Sequence, residues 1–144
     1  MNDEPQVCAR VTRRFDVPPE RVFDAWLDPE KVRNWFGPGL GEMTRVEVDP
    51  RVGGSFSFVQ RRDGEDIDHI GEYLEVDRPR RLVFTWGIAG ESSPDDSRVA
   101  LDFVPLPNGS EVTLTHEMHP DWADYVDRCE ASWAKMLDAM AGML

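Results

Sequence analysis

Hydrophobic positions along the chain change period several times, and each change marks an element. Residues 6–15 (QVCARVTRRF) alternate briefly and carry β-branched side chains, which predicts an opening strand. Pro18-Pro19 ends it, because proline brings no amide to a sheet and presets the dihedral of a helix's first turn. From Glu20 onward Val22, Phe23 and Trp26 recur at helical steps, predicting a short amphipathic helix. Asp28-Pro29 interrupts that helix and starts another, since aspartate caps well and proline suits the first helical position. Val32, Trp35 and Phe36 share a face of this second helix, and Gly37-Pro38-Gly39 closes it.

The middle of the chain alternates with the period of strands. Stretches 44–48, 55–60, 67–76, 82–86, 99–103 and 112–116 each place apolar residues on one face, with Phe56 and Phe58 set against serines. Gly71 inside 67–76 suggests a bend or bulge. Turn residues at 49–54, 61–64, 77–81 and 105–109 separate the strands, and 87–97 reads as a loop. About seven strands on short turns predict an antiparallel meander. From Asp121 to Leu144 the period becomes helical again. Trp122, Val126, Cys129, Trp133, Met136, Leu137, Met140 and Leu144 form one stripe, with charges opposite. Such a helix would run about 35 Å and needs a broad apolar surface. The expectation is one α+β domain over residues 1–144. In it a curved sheet wraps the long C-terminal helix, the short helices plug one end, and a groove lies between helix and sheet.

Composition narrows the classes. The 144 residues hold 28 acidic and 16 basic side chains, a net charge of −12, which argues against a phosphate-backbone partner and so against nucleic acid. Hydrophobic residues at 40%, with seven Phe and five Trp, fit a packed core rather than a disordered chain. No run approaches the roughly 20 apolar residues of a membrane span, so no integral membrane association is expected. The start MNDEPQVC lacks the order of a secretory signal. Cys8 and Cys129 match no zinc or redox spacing, so free thiols in a reducing, cytoplasmic setting are expected.

Four segments carry a family resemblance: VPPERVFDAWLDPEKVRNWFGP (17–38), DPRVGGSFSF (49–58), GEYLEVDRPRRLVFTW (71–86) and TLTHE (113–117). In that order and spacing the chain resembles homologues of the C-terminal domain of the heat-shock-protein-90 ATPase activator. These belong to the START-like (SRPBCC, Bet v 1-like) superfamily, and the similarity runs over about residues 8–143. The resemblance implies a helix-grip fold and a cavity. It implies no fixed catalytic residues, since the superfamily spans carriers, cyclases and co-chaperones. Relatives commonly carry glycine before the last-helix tryptophan, where this chain has Ser132 before Trp133.

The candidate ligand lining is aromatic and sulfur-rich. Trp35, Phe36, Phe56, Phe58, Trp86 and Phe103 come from the second helix and the strands, and Cys129, Trp133, Met136 and Met140 from the last helix. The same residues would also build an ordinary core; aromatics and methionines line adaptable apolar pockets. His116 continues the inward row of Val112 and Leu114, which makes it a candidate ligand contact or proton carrier. His69 and Tyr73 share a strand face whose direction Gly71 leaves open. Glu72 and Asp102 read as solvated carboxylates, and the arginines at 61–62, 78, 80 and 81 as solvated strand ends, the places for an anionic headgroup. His116 and His119, three apart on a strand, face opposite sides, so no metal is expected, and no cofactor.

The leading expectation is a module that binds a hydrophobic small molecule. Alternatives are a cyclase- or dehydratase-like enzyme using His116 and His69, and a protein-partner or co-chaperone-type regulatory domain. A homodimer is the contact the protein-partner reading leaves open.

Overall fold

A computed structural model describes residues 7–90 and 97–144. The opening strand β1 (Val7–Phe15) leads into α1 (Pro19–Leu27) and α2 (Pro29–Trp35). The strands β2 (Glu42–Val48), β3 (Ser55–Arg62), β4 (Glu65–Asp77), β5 (Arg81–Thr85), β6 (Gly87–Ile88), β7 (Ser97–Leu106) and β8 (Gly109–Met118) follow. A 3₁₀ turn at Pro120–Tyr125 then precedes α3 (Val126–Met143).

Among the described residues the strands form one eight-stranded sheet, ordered β1-β8-β7-β5-β4-β3-β2, with the short β6 pairing β4. Every pairing is antiparallel, so the chain meanders from β2 to β8, and β1 closes the far edge beside β8. This is the helix-grip α+β architecture the sequence predicts. Alternation sets its inner face. Opposite each other on β7 and β8 stand Val99 and His116, Leu101 and Leu114, Phe103 and Val112, and all six are buried. The long helix lies along β1, where the Glu130 carboxylate accepts from the Arg10 amide at 3.1 Å and Asp138 pairs with Arg13 at 2.8 Å. Those contacts cover an otherwise unpaired strand edge.

Three details depart from the expectation. The stretch read as loop over 87–97 begins with β6, pairing His69 with Ile88 and Ile70 with Gly87; residues 91–96 lie outside the described residues. The final α-helix starts at Val126 rather than at 121 and has 18 residues. Before it Trp122 and Tyr125 are 39% and 42% exposed and pack on each other at 5.2 Å, so Trp122 does not join the buried stripe. The Trp122 amide bonds the His119 carbonyl at 2.9 Å, the i→i+3 geometry of a 3₁₀ turn. Finally, the register shift in β4 falls between Tyr73 and Glu75, not at Gly71. Gly71 answers a different need: a side-chain carbon there would collide with the Thr85 carbonyl and the Phe56 ring.

Candidate functional site

Two short helices, the middle strands and α3 send their aromatic residues to one place. Pro29 and the Asp28 cap start α2, whose side chains Trp35 and the following Phe36 turn inward. The serines of β3 face outward, which leaves Phe56 and Phe58 facing in. On β4 both His69 and Tyr73 are buried, so this strand face points to the interior.

The rings form a continuous network. Phe36 meets Phe58 at 5.4 Å, His69 at 4.8 Å and Trp86 at 6.0 Å between ring centres. Trp86 stacks on Phe56 at 5.8 Å and meets Trp133 of α3 at 5.1 Å. Trp133 in turn packs against His116 and against Trp26, each at 6.0 Å, and Trp26 against Trp35 at 4.6 Å. Offset and edge contacts at such distances are the favoured geometry of aromatic pairs.

Both buried histidines have assignable tautomers. The Phe58 carbonyl lies 3.1 Å from His69 Nδ1 and can only accept, so Nδ1 carries the proton. Around His116 the arrangement is inverted. The Trp133 indole N–H donates to His116 Nδ1 at 3.1 Å, so the proton of the neutral ring sits on Nε2. Burial pushes each ring down to about 4 from the usual 6.5, so both are neutral near pH 7.

Among the described residues two buried polar side-chain atoms have no hydrogen-bond partner: His116 Nε2 and Trp26 Nε1. Both are N–H donors, and their residues are 4% and 3% exposed. The contrast with Trp35 is direct, because its indole donates to the Ala25 carbonyl at 2.8 Å. Leaving a buried donor unmatched costs about 1–3 kcal/mol.

The structure thus brings together eight of the candidate residues: Trp35, Phe36, Phe56, Phe58, His69, Trp86, His116 and Trp133. Met136 and Met140 of α3 are buried in the same core. Two candidates belong to or border the same core but stand outside this ring network. Phe103 packs on Phe23 at 5.1 Å and borders an open cleft of about 570 Å³ with Pro18, Pro19, Pro79 and residues 105–109. Cys129 is half-buried beside Met118, Sγ to Sδ 3.8 Å, and burial pushes its thiol up, away from an activated thiolate.

Sequence reasoning left out Trp26 and Phe84, although Trp26 stood on the recognised helical stripe. Its unmatched N–H had no signal in the sequence. The polar candidates outside the interior are engaged or solvated. Asp102 pairs with Arg81 at 2.6 Å and Glu72 is exposed. Arg61 pairs with Asp66 at 3.0 Å and Arg80 with Asp77 at 3.3 Å. Arg78 holds Asp24 at 2.8 Å and keeps its carboxyl below the usual range. His116 is buried and His119 exposed, so the two do not converge.

A sheet curved about α3, closed by two short helices over an aromatic interior, is the fold of the START-like proteins. The family model described as Activator of Hsp90 ATPase homolog 1-like protein matches residues 16–144, and the chain belongs to that family. Protein CV1439 from Chromobacterium violaceum is similar, with 28% identity, 96% of this chain and 97% of that chain covered, and a TM-score of 0.83. Protein NE0264 from Nitrosomonas europaea shares the fold at 22% identity, covering 96% and 94% with a TM-score of 0.82. An AHSA1-like protein from Aeromonas hydrophila shares it at 23% identity, covering 94% and 90% with a TM-score of 0.79. No curated protein matches the chain. Among the described residues no helix is long and apolar enough to cross a membrane.

Proposed function

We propose that residues 1–144 act as one START-like domain that holds a hydrophobic or amphipathic small molecule between the sheet and α3. The observation that carries this reading is the pair of unmatched N–H donors inside an otherwise ring-lined interior. A buried donor kept without a partner is costly in a core and useful in a binding site. The rings around Trp86 and Trp133 would take the apolar body of the ligand, with Met136 and Met140 adapting to its outline. His69 and His116 are held by different partners, Phe58 and Trp133, which favours recognition over a shared proton relay. The free thiols of Cys8 and Cys129 support a reducing, cytoplasmic setting.

Native mass spectrometry of freshly purified protein tests the reading. The expected result is a mass above the 16.4 kDa chain that disappears on denaturation. The same spectrum separates monomer from homodimer. A bare chain mass, joined by unchanged tryptophan fluorescence on titration with naphthalene-sized apolar probes, would remove the proposal.

A further inference from the structure

Resting on that reading, we infer that the ligand presents an uncharged hydrogen-bond acceptor, a ketone or ester oxygen on an apolar body, to the N–H groups of His116 and Trp26. The first ground is the polarity of the two unmatched atoms. An indole nitrogen only donates, so Trp26 Nε1 can be satisfied by nothing but an acceptor. His116 is forced to the same polarity by its neighbour. Trp133 Nε1–H occupies Nδ1 at 3.1 Å, which leaves Nε2–H outward from that bond as a donor. Trp133 contacts both residues at 6.0 Å between ring centres, so the residues that carry the two donors pack against one indole.

The second ground is charge. Among the described residues the buried polar side chains are Gln60, His69, Thr85, Ser110 and His116, with no lysine or arginine among them. A carboxylate or phosphate brought here would lose its hydration and meet no counter-ion. Burial also keeps the His116 ring neutral near pH 7, so it supplies a dipole rather than a charge. A hydroxyl or amine offered as a donor to these two atoms would meet another donor.

A matched pair of compounds tests this: methyl naphthyl ketone and ethylnaphthalene, close in shape and differing in the carbonyl oxygen. Affinities come from calorimetric titration of the full chain. The ketone is expected to bind about five- to tenfold more tightly, the range for a neutral hydrogen bond in a buried site. Its carbonyl stretching band is expected to move to lower wavenumber in the complex than in cyclohexane. Trp26→Phe should reduce the preference towards unity, while His116→Gln, which keeps an acceptor for the Trp133 indole and an N–H for the ligand, should retain part of it. Should Trp26→Phe fail to fold, the carbonyl shift in the unmodified protein decides alone. Equal binding of both compounds by the unmodified protein would overturn the acceptor inference and leave the interior site standing. Binding of neither would overturn the interior site as well.

Discussion

Two glycines show how differently the same residue type is used in this chain. At Gly71 a methyl group would meet the Thr85 carbonyl and the Phe56 ring, neither of which can swing away without moving the sheet or the aromatic network. At Gly142, near the end of α3, nothing lies within 4 Å of the added carbon. Gly71→Ala is therefore expected to destabilise by about 1–3 kcal/mol, the range for overpacking. Gly142→Ala is expected to stabilise by up to about 1 kcal/mol, through lower chain entropy and better helix propensity. Urea unfolding checks both, as opposite shifts of the midpoint at unchanged slope. A neutral Gly71→Ala would mean that β4 and Phe56 are more loosely held than their contacts indicate. At this scale the sequence was readable where alternation was clean. His116 followed Val112 and Leu114 inward, as the burial of all three confirms. The direction of His69 was not readable, because Gly71 stood two positions away and the pattern around it is broken by a change of partner strand, from β6 at Ile70 to β5 at Tyr73.

Elements here depend on short junctions. Asp28 ends α1 and begins α2: its Oδ1 accepts from the Glu30 amide at 3.0 Å, and its carbonyl accepts from Lys31 and Val32 at 3.0 Å. The helix it caps carries Trp35 and leads straight into Phe36, so the cap positions one wall of the aromatic interior. Asp28→Ala is expected to cost about 1 kcal/mol, while Asp28→Asn or Asp28→Ser, which keep an acceptor, should cost less than half of that. Thermal unfolding of the three variants gives the order; equal loss in all three would show that the carboxylate acts other than as a cap. The junction was legible in the dipeptide Asp28-Pro29, because capping is a local effect. The start of α3 was not. The helical stripe continued back to Trp122, but Trp122 and Tyr125 turn to each other and to solvent, and a tertiary choice of that kind leaves periodicity intact. The two-residue β6 is set by its neighbour β4 and has too few residues to show a period.

Over the whole molecule the strongest expectation concerns acid. Two rings, His69 and His116, are pushed down to about 4 from the usual 6.5, in each case chiefly by burial. In the unfolded chain both take up protons as the pH passes 6.5, whereas in the folded protein they do so only near 4. The unfolded state therefore binds more protons across that window, and stability falls as the pH is lowered through it. Above 6.5 the two states bind alike and this source contributes no slope. Each ring accounts for on the order of 3 kcal/mol across the window, and a domain's whole stability is about 5–15 kcal/mol. Acid unfolding is thus expected on approach to pH 4. The net charge of −12 acts the other way, since protonating carboxylates relieves repulsion. That effect is common to the protein and its histidine variants, so it cancels in a comparison. Relative to the unmodified protein, His69→Gln and His116→Gln should each have a shallower fall in urea-derived stability between pH 6.5 and 4, whatever their stability at pH 7. The double variant should be the shallowest. Profiles that run parallel in all four proteins would mean that water reaches these rings, and the aromatic interior would then be wetter than its packing indicates.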